Sequence, residues 1–135
     1  MKKEVKEETW VDFEIFTSKG ARIKESWVTI TEDSNFLFNA GFVHQANIAK
    51  STHVILGYSA IKKTISFQFT SDSQAMGAHT LANRPGGSAV GSRAFFNYYF
   101  LDVHGLAGRY TPRKVKIPKV GEAWAINLDS KLPEK

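Results

Sequence analysis

Cysteine is absent from this chain, which excludes a disulfide framework and a thiolate metal site and removes any dependence on an oxidising compartment. No apolar run approaches the ~18 residues that a membrane span requires. The opening MKKEVKEE alternates charges and has no apolar h-region. A soluble, cytoplasmic protein with no membrane partner is expected. Signatures of catalysis are equally scarce. His44, His53, His79 and His104 are scattered and form no HExxH or HxH pair, and no nucleophile elbow occurs. The acidic pairs Glu32–Asp33 and Asp12/Glu14 fall on a turn and on the outer face of a strand, where solvation explains them. The expectation is a non-enzymatic protein with no cofactor and no metal.

What the chain does contain is core-forming material. A content of 42% hydrophobic and 13% aromatic residues in 135 positions can fill one continuous core, burying on the order of two-thirds of the unfolded surface. Residues 1–135 therefore read as a single domain. Charge is spread unevenly along it. Residues 1–48 carry six Lys/Arg against eight Asp/Glu, net −2, whereas residues 49–135 carry twelve against five, net +7. A one-signed field of this kind raises encounter rates with a polyanion; it also serves solubility alone.

The pattern along the chain is that of short strands with two short helices. After a charged tail (1–9), Trp10–Phe16 alternates Val11, Phe13 and Ile15 against Asp12 and Glu14, the period of two that marks a half-buried strand within an extra strand and linker over 10–25. A first unit, 26–70, follows. Its strands are Trp27–Thr31 and Phe36–Asn39 about the turn Glu32–Asn35. A helix then opens at Gly41 with Phe42, Ala46 and Ala49 on one face, before a hairpin of His53–Ser59 and Thr64–Thr70. In the second strand of that hairpin Ile65, Phe67 and Phe69 point inward and Thr64, Ser66 and Gln68 outward.

The second unit, 78–128, repeats the plan. Ala78–Asn83 and Ser88–Val90 flank a turn at Arg84–Gly87, and Ser92 stands where it would N-cap a helix running to Leu101. The aromatic positions 95–100 read as the core face of that helix. Arg109–Ile117 and Ala123–Leu128 close the unit as a hairpin, with 129–135 as a tail. The fold class is therefore α+β, predominantly antiparallel β with two short helices, in two ββαββ pseudo-repeats preceded by an N-terminal strand. Neither unit could bury its apolar faces alone.

The stretch VTITEDSNFLFNAGFVHQANIAKSTHVILGYSAIKKTISFQF resembles the swapped-hairpin AbrB-type unit, well over Trp27–Phe69 and loosely over Ser88–Leu128. In that family basic residues on the strands and loop before the helix meet duplex DNA; here that loop is the acidic Glu32–Asp33, a departure that counts against duplex binding by this surface. The segments GSRAFFNYY and GRYTPRKV resemble those of small prokaryotic and phage proteins. Read in another phase, the four strands and helix of Val54–Leu101 are similar to the unit of the whirly and eukaryotic single-stranded-DNA coactivator folds. That second likeness implies single-strand binding, with a place as a transcription or replication accessory factor.

The residues with chemistry to support binding are cationic. RYTPRKVKIPK, Arg109–Lys119, holds five cations with no acid between Asp102 and Glu122. Single strands are bound by cationic grooves interleaved with aromatics on which bases stack. The candidate contacts are Arg109, Arg113, Lys114 and Lys116, with Lys62, Lys63 and Arg93 in support and Tyr110 as a stacking platform. On the closing strand Arg113 shares a face with Val115, and Lys114 and Lys116 share the other. The competing reading is edge protection, since lysines between Pro112 and Pro118 blunt a strand edge against aggregation. The run RPGGSAVGS, Arg84–Ser92, lacks the Gly-Lys-Ser/Thr ending of a nucleotide loop and reads as a hairpin turn and helix cap. Any anion held there would meet Arg84, Ser92 and Arg93. A nucleic-acid partner and a homo-oligomer are both open. The alternative function is a protein-interaction module of phage or accessory type, assembling through a sheet edge near Trp10 and Trp27.

Overall fold

Ten strands form over residues 25–133, the part of the chain that the computed structural model describes, the longer ones such as β2 and β4 alternating buried and more exposed positions. Strand β1 (Val28–Ile30) pairs with β2 (Asn35–Asn39), and α1 (Ala40–Gln45) follows without a linker. Strands β3 (His53–Ser59) and β4 (Thr64–Thr70) form a hairpin with the bounds read from the sequence. Short strands β5 (Ala78–Thr80), β6 (Ala82–Arg84) and β7 (Gly87–Gly91) lead into α2 (Arg93–Tyr98). Helix α3 (Val103–Leu106), then β8 (Gly108–Tyr110), β9 (Arg113–Ile117) and β10 (Gly121–Asn127) complete the set. The expected strand Trp10–Phe16 lies outside the described residues.

The strands assemble into two antiparallel sheets of five, β6-β7-β2-β1-β8 and β5-β3-β4-β10-β9. The architecture is thus predominantly antiparallel β with short helices. Three α-helices are present among the described residues where two were expected, and none is long and apolar enough to cross a membrane.

Aromatic rings join the sheets. Phe36 and Phe38 of β2 meet Phe67 of β4 edge-on, with centroids 5.0 and 5.3 Å apart, and Phe36 also stacks on Phe96 of α2 at 5.3 Å. All four rings are at most 1% exposed. Helix α1 closes one end by placing Phe42 5.2 Å from Trp124 of β10. The alternation expected in β4 is present, with Ile65 and Phe67 buried between more exposed neighbours.

One side chain fixes the corner where β2 becomes α1. The Asn39 Oδ1 accepts from the Phe42 N–H at 3.0 Å, which caps the helix, and from the Trp27 N–H at 2.9 Å, which fixes the entry to β1. A cap of this kind is worth about 1 kcal/mol.

Several expectations need correction. The apolar face of α1 does not continue to Ala49, because Asn47 adopts a left-handed conformation (φ 58°) that ends the helix and turns Ile48 into the core in place of Ala49. The expected strand Ala78–Asn83 is two strands, since Leu81, 6% exposed, carries the chain from β5 in one sheet to β6 in the other. The expected strand Arg109–Ile117 is likewise divided at Thr111–Pro112 into β8 and β9, which belong to different sheets. Proline has no N–H to give a ladder, so a break there is the natural outcome. Helix α2 stops at Tyr98, short of Leu101, and Ser92 makes no side-chain cap.

Candidate nucleic-acid interface

Three of the candidate cations, Lys62, Arg113 and Lys116, border a groove on the outer face of the second sheet. Pairing registers place Gly57 opposite Ser66, Ser66 opposite Ala125 and Ala125 opposite Arg113, so one row across β3, β4, β10 and β9 holds three small residues and an arginine. Small side chains in mid-sheet leave a hollow. A Cβ on Gly57 would stand 2.4 Å from the Ser66 Oγ, so glycine is what lets the two strands carry that hydroxyl between them. The resulting groove has a volume of about 530 Å³. Lys62 stands at the β3–β4 tip, Arg113 and Lys116 on β9, and Ile117, Pro118 and Val120 form an apolar rim at the β9–β10 turn. Among the described residues that line it none is acidic.

Lys116 lines this groove together with Arg113 although alternation on β9 sets their Cβ atoms on opposite faces. The Cβ split expected between Arg113 and Lys116 is thus present in the register, with Lys116 opposite Glu122, and both residues border the groove. Because β9 is the last strand of its sheet, a long lysine stem on it can reach round the edge. Lys114 does not join them. Its Nζ lies 3.5 Å from the Glu122 carboxylate and 6.0 Å from the Trp124 ring, on the α1 side of the sheet. Lys63 turns toward Asp129, 4.0 Å away, on an exposed surface where an ion pair is worth little.

The remaining candidates are elsewhere. Arg109 sits on β8 in the first sheet with its guanidinium carbon 4.6 Å over the Trp27 ring. Arg84 and Trp27 line a separate hollow of about 440 Å³ on the outer face of that sheet, with Leu37 between them in sheet order. Arg93 opens α2 and lines neither hollow. Ser92 is 3% exposed and its Oγ donates to the Ser34 carbonyl at 2.9 Å, so it is not an anion contact; it ties α2 to the β1–β2 turn.

Tyr110 is not a stacking platform. It is 1% exposed, and its hydroxyl donates to the Leu106 carbonyl at 2.6 Å. Burial pushes the phenol up to about 12 from its ordinary 10.0. An unfolded chain ionises this group near 10.0 while the folded chain keeps it neutral, so its contribution to stability is present below pH 10 and is lost as pH rises toward 12. Tyr110→Phe should therefore flatten the loss of stability between those pH values. At neutral pH the same variant should be less stable than wild type by about 1 kcal/mol, because the Leu106 carbonyl loses its donor. Denaturant unfolding at a series of pH values checks both; an unchanged alkaline limb would refute the assignment.

Two features of the region escaped the sequence reading. Gly57 inside the strand VILGYS was a readable signal for close approach, whereas the small residues Ser66 and Ala125 acquire meaning only through the register. Among the described residues there is no group of three or more His, Asp or Glu able to hold a metal ion. In comparison with known proteins, no family model matches this chain, and no curated protein or solved structure matches it.

Proposed function

We propose that this chain is a non-enzymatic nucleic-acid-binding protein that holds a single strand of DNA or RNA in the groove across the outer face of the second sheet. The observation that carries the reading is the groove, with no acid among its described lining residues, that Lys62, Arg113 and Lys116 border over a floor of Gly57, Ser66 and Ala125. Cations in a groove neutralise the phosphates of a strand laid along it, and small floor residues let its backbone approach the sheet. Edge protection and binding are compatible on β9, since the same lysines serve both.

The proposal extends to the fold. Hairpins β1–β2 and β6–β7 fall in one sheet and β3–β4 and β9–β10 in the other; α1 and a short 3-10 turn part β1–β2 from β3–β4 in the chain, while α2, α3 and β8 part β6–β7 from β9–β10, and β2–β7 and β4–β10 pair across the units. This arrangement supports a reading as two ββαββ units that share one core.

A second reading, a protein-interaction module, is favoured by the outer face of the first sheet. There Leu37 is 41% exposed in the hollow that Trp27 lines.

Counterion release supplies the test. With three phosphates neutralised, log K for oligothymidylate should fall with log salt at a slope of about −2. Binding that is absent, or flat with salt, near about 0.1 M would overturn the proposal.

A further inference from the structure

Strand β9 is the last of its sheet, and no strand among the described residues pairs with its outer side. Proline has no N–H to give a ladder, so Pro112 and Pro118 bound that edge and leave the five positions of Arg113–Ile117 to pair. Arg113, Val115 and Ile117 stand on the groove face. Lys114 and Lys116 stand on the other, with Glu122 of β10 as the acid beside them. Three cations in five residues oppose pairing with a second β9, because like charges set opposite one another repel. An occupant of this edge must instead bring carboxylates at alternate positions, with apolar side chains between them.

No described strand carries two acids. The complement is Val11, Asp12, Phe13, Glu14 and Ile15, which lie outside the described residues and have two acids, no base and a period of two. Set antiparallel to β9 with Phe13 opposite Val115, the segment brings Asp12 opposite Lys116 and Glu14 opposite Lys114. Val11 then meets Ile117, and Ile15 meets Arg113 on the groove face. A slip of one residue would put both acids on the apolar face, which fixes the register.

The described chain begins where such pairing needs it. Val28 is opposite Tyr110, so the residues before Val28 run back beside Thr111 and Pro112 toward the start of β9, with Arg109 over the Trp27 ring. The Glu25 carbonyl accepts from Asn39, the cap of α1; Phe42 of α1 touches Trp124, and Trp124 is opposite Lys114. Both routes set Glu25 at the end of the molecule where β9 starts. Residues 17–24 connect it to the segment, and at about 3.3 Å each they reach further than a turn back to that strand requires. A linker so short holds its segment at an effective concentration on the order of millimolar. A second copy has no such advantage, and net charge +5 on each chain opposes its approach.

We propose that residues 11–15 dock on β9 of their own chain as a sixth, antiparallel strand of the second sheet, with Asp12 and Glu14 against Lys116 and Lys114. Docking of this kind stands without the nucleic-acid reading and touches it at one point. A strand on this edge bars the way by which Lys116 reaches the groove, so the segment and a bound nucleic acid contend for that lysine.

The absence of cysteine makes a direct test possible. In the full chain, Phe13→Cys with Val115→Cys introduces two thiols that the register sets opposite one another, within reach of a disulfide. Under mild oxidation at low protein concentration this pair should close within one chain at least about tenfold faster than Asp12→Cys with Val115→Cys, whose thiols fall on opposite faces. Equal rates, or no closure, overturn the proposal. A disulfide between two chains in place of one within a chain assigns the edge to a second copy and overturns it as well. Amide hydrogen exchange on the cysteine-free chain gives a second measurement should the thiol variants fail to fold. Asp12→Lys with Glu14→Lys should speed exchange about tenfold at the β9 amides that do not bond to β10, whereas Glu7→Lys with Glu8→Lys, an equal change of charge elsewhere, should not. The same β9 exchange in both variants and wild type would refute docking. None of these readouts involves nucleic acid, so the groove reading stands or falls separately by its salt titration.

Discussion

Changing Lys62, Arg113 and Lys116 together to glutamine should lower affinity for oligothymidylate about 100-fold at about 0.1 M salt and bring the salt slope close to zero. The size follows from the three charges. Each phosphate neutralised on a single strand contributes about 0.7 to the slope of log K against log salt, so three account for roughly two decades between 1 M and 0.1 M salt. Glutamine keeps hydrogen-bonding capacity and most of the side-chain length, which restricts the change to charge. Lys114→Gln, by contrast, should leave affinity within about twofold and the slope within about 0.3, because Lys114 faces Glu122 and Trp124 on the other side of its sheet. Fluorescence anisotropy over a salt series measures both. Equal losses from Lys114→Gln and from the groove variants taken singly would mean that affinity follows net charge and not the groove.

Phe36→Ala should be the most damaging single substitution for stability, at about 4 kcal/mol. Phe36, on the first sheet, is fully buried and touches a ring of the second sheet and two of α2, with centroids 5.0 Å to Phe67, 5.3 Å to Phe96 and 6.1 Å to Phe95. Truncation removes transfer free energy, leaves a cavity that the β2 backbone, paired on both sides, cannot collapse into, and loses edge-to-face contacts worth about 1 kcal/mol apiece. Against a total stability of about 5–15 kcal/mol for a domain this size, such a loss should lower the melting temperature by on the order of 15 °C. Phe36→Leu, which keeps most of the volume, should cost less than about 1.5 kcal/mol. Urea unfolding of the two variants decides the matter, and a cost below about 1 kcal/mol for Phe36→Ala would show that the two sheets are joined elsewhere.

Strand periodicity was legible wherever one face is buried. The His53–Ser59 and Thr64–Thr70 hairpin and the inward set Ile65 and Phe67 were readable residue by residue, because a period of two admits one register once a face is apolar. Which sheet a strand joins was not legible. Leu81 and Thr111–Pro112 carry the chain from one sheet to the other, and that crossing is decided by partners far away in sequence, such as Thr29 opposite Arg109.

The candidate site was legible in the same uneven way. Arg113, Lys116 and Lys62 stood out by charge, but the floor that makes them a groove depends on pairing between Ser66 and Ala125, fifty-nine positions apart. Tyr110 misled because an aromatic beside an arginine in sequence points to the opposite side of a strand, and here that side is the core. The aromatic run of α2 misled for a different reason. A helix of six residues cannot carry every ring in 95–100 inward, and the left-handed turn at Phe100 releases the last of them.

Strand order also sets when the molecule can exist. β1 waits for β8, with Val28 opposite Tyr110, and β4 waits for β10, with Ile65 opposite Ile126. As the chain leaves the ribosome, the first sheet cannot be finished until β8 has emerged nor the second until β10 has, and the apolar edges of β1 and β4 stay open meanwhile. Birth is thus the interval in which this protein is most exposed to aggregation.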